Sequence, residues 1–93
     1  MYIAEAMISA AKKIGFSNAD ARSLIAHTFI GSGRLLLATS KTPNALAEEV
    51  MTPNGTTERG VRLLKQNNIF ETLENALLAA SARANELSKI DLE

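Results

Sequence analysis

Cysteine is absent from this chain of 93 residues, which also has only two prolines and 4% aromatic residues. Without cysteine there is neither a disulfide framework nor thiolate chemistry, and such a composition fits a reducing, cytoplasmic environment. Ten lysines and arginines balance ten aspartates and glutamates, so the net charge is zero at pH 7. Because no basic patch stands out, neither nucleic acid nor an anionic membrane surface is expected as a partner.

Long apolar runs are missing as well. No uninterrupted apolar stretch approaches the roughly 18–20 residues that a membrane-spanning helix needs. Near the N-terminus, Glu5, Lys12 and Lys13 interrupt any run that would resemble a secretion signal. We therefore expect a soluble cytoplasmic protein.

Alanine and leucine dominate what is present, and hydrophobic residues make up 46% of the chain. They recur every three or four positions in segments separated by glycine, proline or asparagine, with no strand-like alternation. This pattern predicts a small all-α domain of about five helices. The apolar supply exceeds what so small a core needs, which favours burial of the excess in a dimer interface.

The predicted helices are bounded by residues that favour helix ends, namely glycine after the last turn and hydroxyl or amide side chains before the first. In chain order these are Gly15, Ser17 with Asp20, Thr42 before Pro43, Thr56 or Thr57, and Asn68 with Glu71, which are spaced like a capping box.

Two features invite a functional reading but have simpler explanations. Gly31 and Gly33 do not form a dinucleotide fingerprint, because Leu36 replaces the third glycine and no strand precedes them. Within a helical pattern they instead predict close approach of another backbone. His27 is the only histidine, and no neighbouring ligands complete a metal site with it, so we expect a surface or interface histidine. No metal site and no catalytic residue are assigned.

The stretch from Thr52 to Thr57 carries the most chemical meaning. It combines a turn containing proline, asparagine and glycine with two threonines at a predicted helix start. Helix starts offer unpaired N–H groups and a partial positive charge, which suit an anion. No lysine follows Gly55, so a phosphate-binding P-loop is excluded. A small carboxylate is the best physical candidate, although ordinary turn chemistry explains the same residues.

The spacing around this turn resembles the signature of pyrroline-5-carboxylate reductases. That signature joins a proline and spaced aliphatic residues to small hydroxyl residues, a glycine-rich turn and a threonine. In this chain it is met by Pro43, Leu46, Val50, Thr52, Asn54, Gly55, Thr57, Gly60, Val61, Leu64 and Lys65. Met51 departs from it, standing where the family usually has serine, threonine, alanine or cysteine. Its bulk would reshape the pocket wall and so affect the fit of the substrate.

The resemblance covers nearly the whole chain and implies that residues 1–93 are the C-terminal dimerisation and substrate-binding domain. Tyr2 to Gly15 is similar to the helix after the interdomain junction, and residues 19–40 to the long central helix. In that family, the domains intertwine as helical homodimers. The parent enzyme uses NADPH or NADH to reduce 1-pyrroline-5-carboxylate to L-proline, in proline biosynthesis. The N-terminal nicotinamide-binding domain has no counterpart here, so the isolated chain is expected to bind no cofactor and to be inactive.

The resemblance also implies the substrate-binding residues, which are Thr52, Asn54, Gly55, Thr56 and Thr57. By analogy with the family, the N–H groups of the last three would hold the substrate carboxylate, and the Thr57 hydroxyl would bond to the ring nitrogen. Two alternatives remain open: a helical interaction module that kept the fold and lost the chemistry, and an unrelated helical bundle.

Overall fold

The computed structural model of the chain describes the backbone of residues 1–92 and the side chains of residues 1–90. Over this range the regular elements are five α-helices, which confirms the predicted all-α class. They are α1 (Tyr2–Lys13), α2 (Asn18–Ala38), α3 (Pro43–Glu49), α4 (Thr56–Gln66) and α5 (Ile69–Leu92). None of them is both long and apolar enough to span a membrane within the residues described.

A glycine terminates α1 at the predicted position. Gly15 has a φ of +119°, a conformation that side chains other than hydrogen rarely tolerate. Its N–H donates to the Lys12 carbonyl at 3.1 Å, and the N–H of Phe16 donates to the Ala11 carbonyl at 3.1 Å. These two bonds form a Schellman motif, which satisfies carbonyls left unpaired at the end of α1.

Hydroxyl side chains begin the next two helices, also as predicted. The Ser17 hydroxyl accepts the N–H of Asp20 at 3.1 Å at the start of α2. The Thr42 hydroxyl accepts the N–H of Ala45 at 3.1 Å at the start of α3. Each side chain satisfies one of the N–H groups that a helix start leaves without a partner.

The start of α4 differs from the prediction that Thr56 or Thr57 caps it. Gly55 is the N-cap residue, and no side chain at that position completes a cap. The two threonines instead occupy the first two helical positions. The physical reason is that the preceding turn closes at Gly55, whose N–H donates to the Thr52 carbonyl, so that Thr56 is already helical. The Glu58 side chain reaches back to the N–H of Asn54. This contact ties the turn to the helix without a threonine hydroxyl.

The helix start at Asn68 is correct, but the predicted capping box is not. Asn68 has a φ of +56°, whereas an N-cap residue has an extended backbone. Its carbonyl accepts both the N–H of Thr72 at 3.1 Å and the Thr72 hydroxyl at 3.0 Å. Among the described residues no hydrogen bond joins Asn68 to Glu71. The chain therefore turns from α4 into α5 through the left-handed backbone of Asn68.

The chain divides into two compact units, residues 1–46 and residues 47 onward. In the first unit α1 packs on α2, and the buried side chains are Ala4, Ala11, Ala21 and Ile25. Three alanines in this contact leave little volume between the helices. In the second unit α4 packs against α5, and none of its described side chains is buried. Each unit therefore has very little core of its own.

Large apolar side chains are exposed along both long helices. On α2 they are Leu24, Phe29, Ile30, Leu35, Leu36 and Leu37. On α5 they are Phe70, Leu73, Leu77, Leu78, Leu87 and Ile90. So many large exposed apolar side chains are unusual for a soluble monomer and favour coverage of these helices by another polypeptide.

Gly31 and Gly33 lie within α2, as predicted. Apart from their own helix, no atom of the described chain would come within 4 Å of a Cβ added at either position. The described residues therefore do not supply the close approach of another backbone, which remains a prediction for a second copy.

Candidate functional site

Residues Thr52 to Gly55 form a hydrogen-bonded turn that enters α4. The Gly55 N–H donates to the Thr52 carbonyl at 2.9 Å. Pro53 occupies the second position, where its fixed φ fits, and Asn54 has a φ of +61° at the third. This combination is that of a type II turn, which requires a positive φ at its third residue. Asparagine tolerates that conformation better than most residues.

Directly after the turn, α4 presents backbone donors to solvent. Gly55 is extended, with φ −80° and ψ 175°, and its carbonyl accepts the N–H of Arg59 at 3.1 Å. The N–H groups of Thr56 and Thr57 have no acceptor within residues 1–92, and both residues are exposed. Unpaired N–H groups at a helix start, together with the helix dipole, favour an anion such as a carboxylate.

The Gly55 N–H is a different case from its two neighbours. Because it closes the turn onto the Thr52 carbonyl, it is already engaged before any ligand arrives. Two of the three N–H groups that were expected to bind a carboxylate, those of Thr56 and Thr57, therefore remain available.

Gly55 is needed for space rather than for an unusual backbone angle. A Cβ at this position would lie 2.3 Å from the Thr52 hydroxyl oxygen and 3.0 Å from the Thr52 carbonyl oxygen. Both distances are shorter than ordinary contacts. The Thr52 hydroxyl thus rests against the bare Cα of Gly55, and any larger residue would displace it.

Glu58 and Arg62 belong to this site, although the sequence reasoning gave them no role. The Glu58 carboxylate accepts the Asn54 N–H with one oxygen and the Arg62 guanidinium with the other. The backbone hydrogen bond from Asn54, followed by the bond and charge of Arg62, lowers the pKa of Glu58. The sequence contains two signals for these contacts. Glu58 lies three residues after the N-cap residue, which is the capping-box spacing, and Glu58 and Arg62 lie four residues apart, which is the spacing of a helical ion pair.

A cleft of about 700 Å³ lies beside the turn, on the α4 face that carries Glu58. It is lined by Met51, Thr52, Pro53, Asn54, Glu58, Val61, Arg62, Lys65 and Gln66. Of the five predicted substrate-binding residues, only Thr52 and Asn54 line this cleft. Gly55, Thr56 and Thr57 form the adjoining helix start outside it. Met51 stands in the cleft wall next to Thr52, so its side chain contributes to the shape of this surface.

The other sequence features supply no site of their own. His27 is exposed, and its Nδ1 donates to the Ser23 carbonyl at 2.8 Å, which is the geometry of a surface histidine. Across the described side chains, those of residues 1–90, no group of three or more histidine, aspartate and glutamate residues is placed to hold a metal ion. Among the described residues, the turn at the start of α4 is the candidate site for a small ligand that the geometry supports best.

Comparison with known proteins shows the family to which the chain belongs. The family described as pyrroline-5-carboxylate reductase dimerisation matches residues 1–87. The chain is 36% identical to pyrroline-5-carboxylate reductase 3 of Xenopus laevis over 86 residues, which are 92% of this chain and 31% of that protein. Identity to pyrroline-5-carboxylate reductase 3 of Danio rerio is 40% over 84 residues, 90% of this chain and 29% of that protein.

A bacterial relative shows similar identity and coverage. Pyrroline-5-carboxylate reductase 2 of Bacillus subtilis (strain 168) is 34% identical over 85 residues, covering 91% of this chain and 31% of that protein. The chain thus spans roughly three-tenths of the length of the curated relatives it matches. Since the family match extends over nearly all of its residues, the chain belongs to the pyrroline-5-carboxylate reductase dimerisation family.

Proposed function

We propose that this chain is the dimerisation and substrate-carboxylate domain of a pyrroline-5-carboxylate reductase. Such an enzyme reduces 1-pyrroline-5-carboxylate to L-proline with NADPH or NADH, and we place it in proline biosynthesis in the cytoplasm. One observation carries the proposal. The helix start that the family resemblance assigns to the substrate carboxylate is the one where Thr56 and Thr57 leave their N–H groups without an acceptor among the described residues.

In the proposed complex, the substrate carboxylate accepts hydrogen bonds from the N–H groups of Thr56 and Thr57, with the dipole of α4 behind them. The Thr57 hydroxyl bonds to the ring nitrogen. Because the carboxylate and the nitrogen are held by adjacent groups of one helical turn, the C=N bond takes a fixed orientation. The contribution of these residues is positioning and electrostatic stabilisation rather than covalent chemistry.

The nicotinamide would be held elsewhere in the functional enzyme. A dinucleotide fingerprint joins a strand, a glycine-rich loop and a helix, whereas Gly31 and Gly33 lie inside α2. The described residues therefore do not fit a nicotinamide cofactor, and the proposed role of this chain ends at binding and orienting the substrate. The choice between NADPH and NADH belongs to that other part of the enzyme.

Homodimerisation is the second part of the proposal, and the accessible surface supports it. The chain exposes 8085 Å², whereas a compact monomer of 10.0 kDa exposes about 5,200 Å². Even two separate compact bodies of half that mass would together expose only about 6,300 Å². The chain thus exposes more surface than two separate compact bodies would, and this supports burial of part of that surface against a second copy of the chain.

Met51 motivates a second candidate function. It lies in the cleft wall beside Thr52, where the family usually has a smaller residue. A chain that kept the helices and lost substrate binding would be a helical interaction module without catalytic activity. Titration of the native-length protein with L-proline discriminates the two, since an interaction module should show no saturable binding.

The first test is reduction of pyrroline-5-carboxylate by the native-length protein, followed through NADPH or NADH oxidation and proline formation. The second is Thr57→Ala in that protein. This variant loses the hydrogen bond from the Thr57 hydroxyl to the ring nitrogen, whose charge changes during the reduction. Its kcat/KM should fall by about ten- to a hundredfold, and its oligomer should stay intact.

Thr72→Ala is the matched control, because it removes a threonine hydroxyl of α5 that donates to the Asn68 carbonyl and has no proposed role in substrate binding. Full activity of the Thr57→Ala variant would contradict the role of that hydroxyl. Absence of turnover with both nucleotides, from a folded native-length protein, would favour the interaction module.

A further inference from the structure

One side chain links the turn before α4 to the helix itself. Glu58 occupies the third position of α4, and its two carboxylate oxygens have different partners. One accepts the N–H of Asn54 in the turn, and the other accepts from the guanidinium of Arg62, one helical turn further on. The Glu58 side chain is 27% exposed and that of Arg62 is 51% exposed, so solvent still reaches the pair.

The contact with Asn54 bears on the shape of the turn. Asn54 has a φ of +61°, a conformation that asparagine tolerates but that contacts with its surroundings help to maintain. Two hydrogen bonds do so here. The Gly55 N–H closes the turn onto Thr52 at 2.9 Å, and Glu58 accepts the Asn54 N–H. Without Glu58, one of the two constraints on the turn would be lost.

Arg62 balances the negative charge of Glu58, which lies close to the proposed anion site. A carboxylate in the first turn of α4 would repel an anionic ligand bound at the same helix start. The guanidinium of Arg62 contacts this carboxylate directly and balances its charge. Glu58 can therefore serve as an acceptor for the turn while the N–H groups of Thr56 and Thr57 remain attractive to an anion.

We propose that Glu58 is a positioning residue of the carboxylate site and that Arg62 makes its charge compatible with an anionic substrate. This inference rests on the proposed function and deepens it, because it names side chains that act on the substrate through the turn. Glu58 does not touch the substrate. It holds the backbone whose threonines do.

The experiment compares KM for pyrroline-5-carboxylate in variants of the native-length enzyme at saturating nucleotide. Glu58→Ala removes the acceptor of the Asn54 N–H and should raise this KM by about five- to tenfold, the effect of one ordinary hydrogen bond. KM for the nucleotide should stay the same. Glu58→Gln retains an oxygen that can accept the same N–H, so its KM should stay within about twofold of the wild-type value.

Arg62→Gln tests the charge balance. It leaves the Glu58 carboxylate uncompensated beside the substrate, so KM for pyrroline-5-carboxylate should rise, and added salt should reduce the increase by screening. The double variant Glu58→Gln with Arg62→Gln removes both charges and should restore most of the affinity. Glu86→Ala is the matched control, since it breaks the exposed Arg83–Glu86 pair of α5 and should leave both KM values unchanged.

The outcomes separate this inference from the function on which it rests. If Thr57→Ala raises KM while Glu58→Ala and Arg62→Gln do not, the positioning role is refuted and the proposed function stands. If Glu58→Ala fails to fold, an unchanged KM in Arg62→Gln still refutes the charge balance. If the wild-type protein neither turns over nor binds the substrate, both proposals fall together.

Discussion

Replacing a glycine by alanine should have opposite effects at two positions only five residues apart. At Gly55 a new Cβ would lie 2.3 Å from the Thr52 hydroxyl oxygen, about 1 Å short of ordinary contact. The backbone angles, φ −80° and ψ 175°, suit alanine, so the cost comes from crowding alone. Overpacking of this kind costs about 1–3 kcal/mol, and we expect about 2 kcal/mol for Gly55→Ala.

Gly60→Ala is the matched control within the same helix. No atom outside the helix's own backbone would lie within 4 Å of the added Cβ. Alanine is therefore expected to stabilise α4 by about 0.5–1 kcal/mol through its greater helix propensity. The same chemical change thus destabilises one position and stabilises the other.

A double-mutant cycle isolates the contact responsible. Thr52→Ala removes the hydroxyl, after which the nearest remaining atom is the Thr52 carbonyl oxygen at 3.0 Å. Because that carbonyl contact is present in both backgrounds, it cancels in the cycle. Gly55→Ala should therefore cost about 1–2 kcal/mol less in the Thr52→Ala background than in the wild type.

The assay is chemical denaturation, with every variant at one protein concentration, because the stability of an oligomer depends on concentration. Stability is the right measurement here because both residues belong to the predicted substrate site and an activity change would have several causes. The reasoning is refuted if Gly55→Ala is as stable as the wild type. It is also refuted if its cost is the same in both backgrounds.

Two further predictions concern the dimer and the acid range. In a monomer, Gly31→Ala should stabilise α2 by about 1 kcal/mol, since the added Cβ meets no other element among the described residues. If a second copy packs there, the variant should instead dimerise more weakly in sedimentation equilibrium, and an unchanged dimer would contradict the packing role. The lowered pKa of Glu58 means that its ionised form stabilises the fold above the ordinary glutamate pKa. That contribution is lost as pH falls through the lower folded-state value. The difference in thermal midpoint between wild type and Glu58→Gln should shrink with acidification over that range, and a constant difference would refute the assignment.

Much of the fold could be predicted because its determinants are local. The end of α1 depends on the backbone freedom of Gly15. The starts of α2 and α3 depend on the hydroxyls of Ser17 and Thr42. Each of these residues acts on residues within four positions of itself. The all-α class follows from the spacing of apolar residues. These features need no knowledge of tertiary contacts.

The errors occurred where a side chain had a choice of partners. Threonine at a helix start usually indicates an N-cap. Here the Glu58 side chain contacts the turn instead, and Thr56 and Thr57 occupy the first two helical positions. The engagement of the Gly55 N–H with Thr52 depends on the positive φ of Asn54, which the residue type permits but does not dictate. At Asn68 the same left-handed conformation replaced the expected capping box.

The small interior of each unit bears on how the chain reaches its folded state. Among the described residues four side chains are buried, three of them alanine. They give too little hydrophobic stabilisation to offset the conformational entropy lost in ordering residues 1–92. If the proposed dimer forms, a newly synthesised chain completes its folding only on meeting a partner. Refolding should then follow second-order kinetics, with a rate that rises with protein concentration. Before it dimerises, the chain exposes the apolar surfaces of α2 and α5, which can aggregate. Dilution should therefore slow assembly. The presence of unrelated unfolded chains should lower the yield of the dimer.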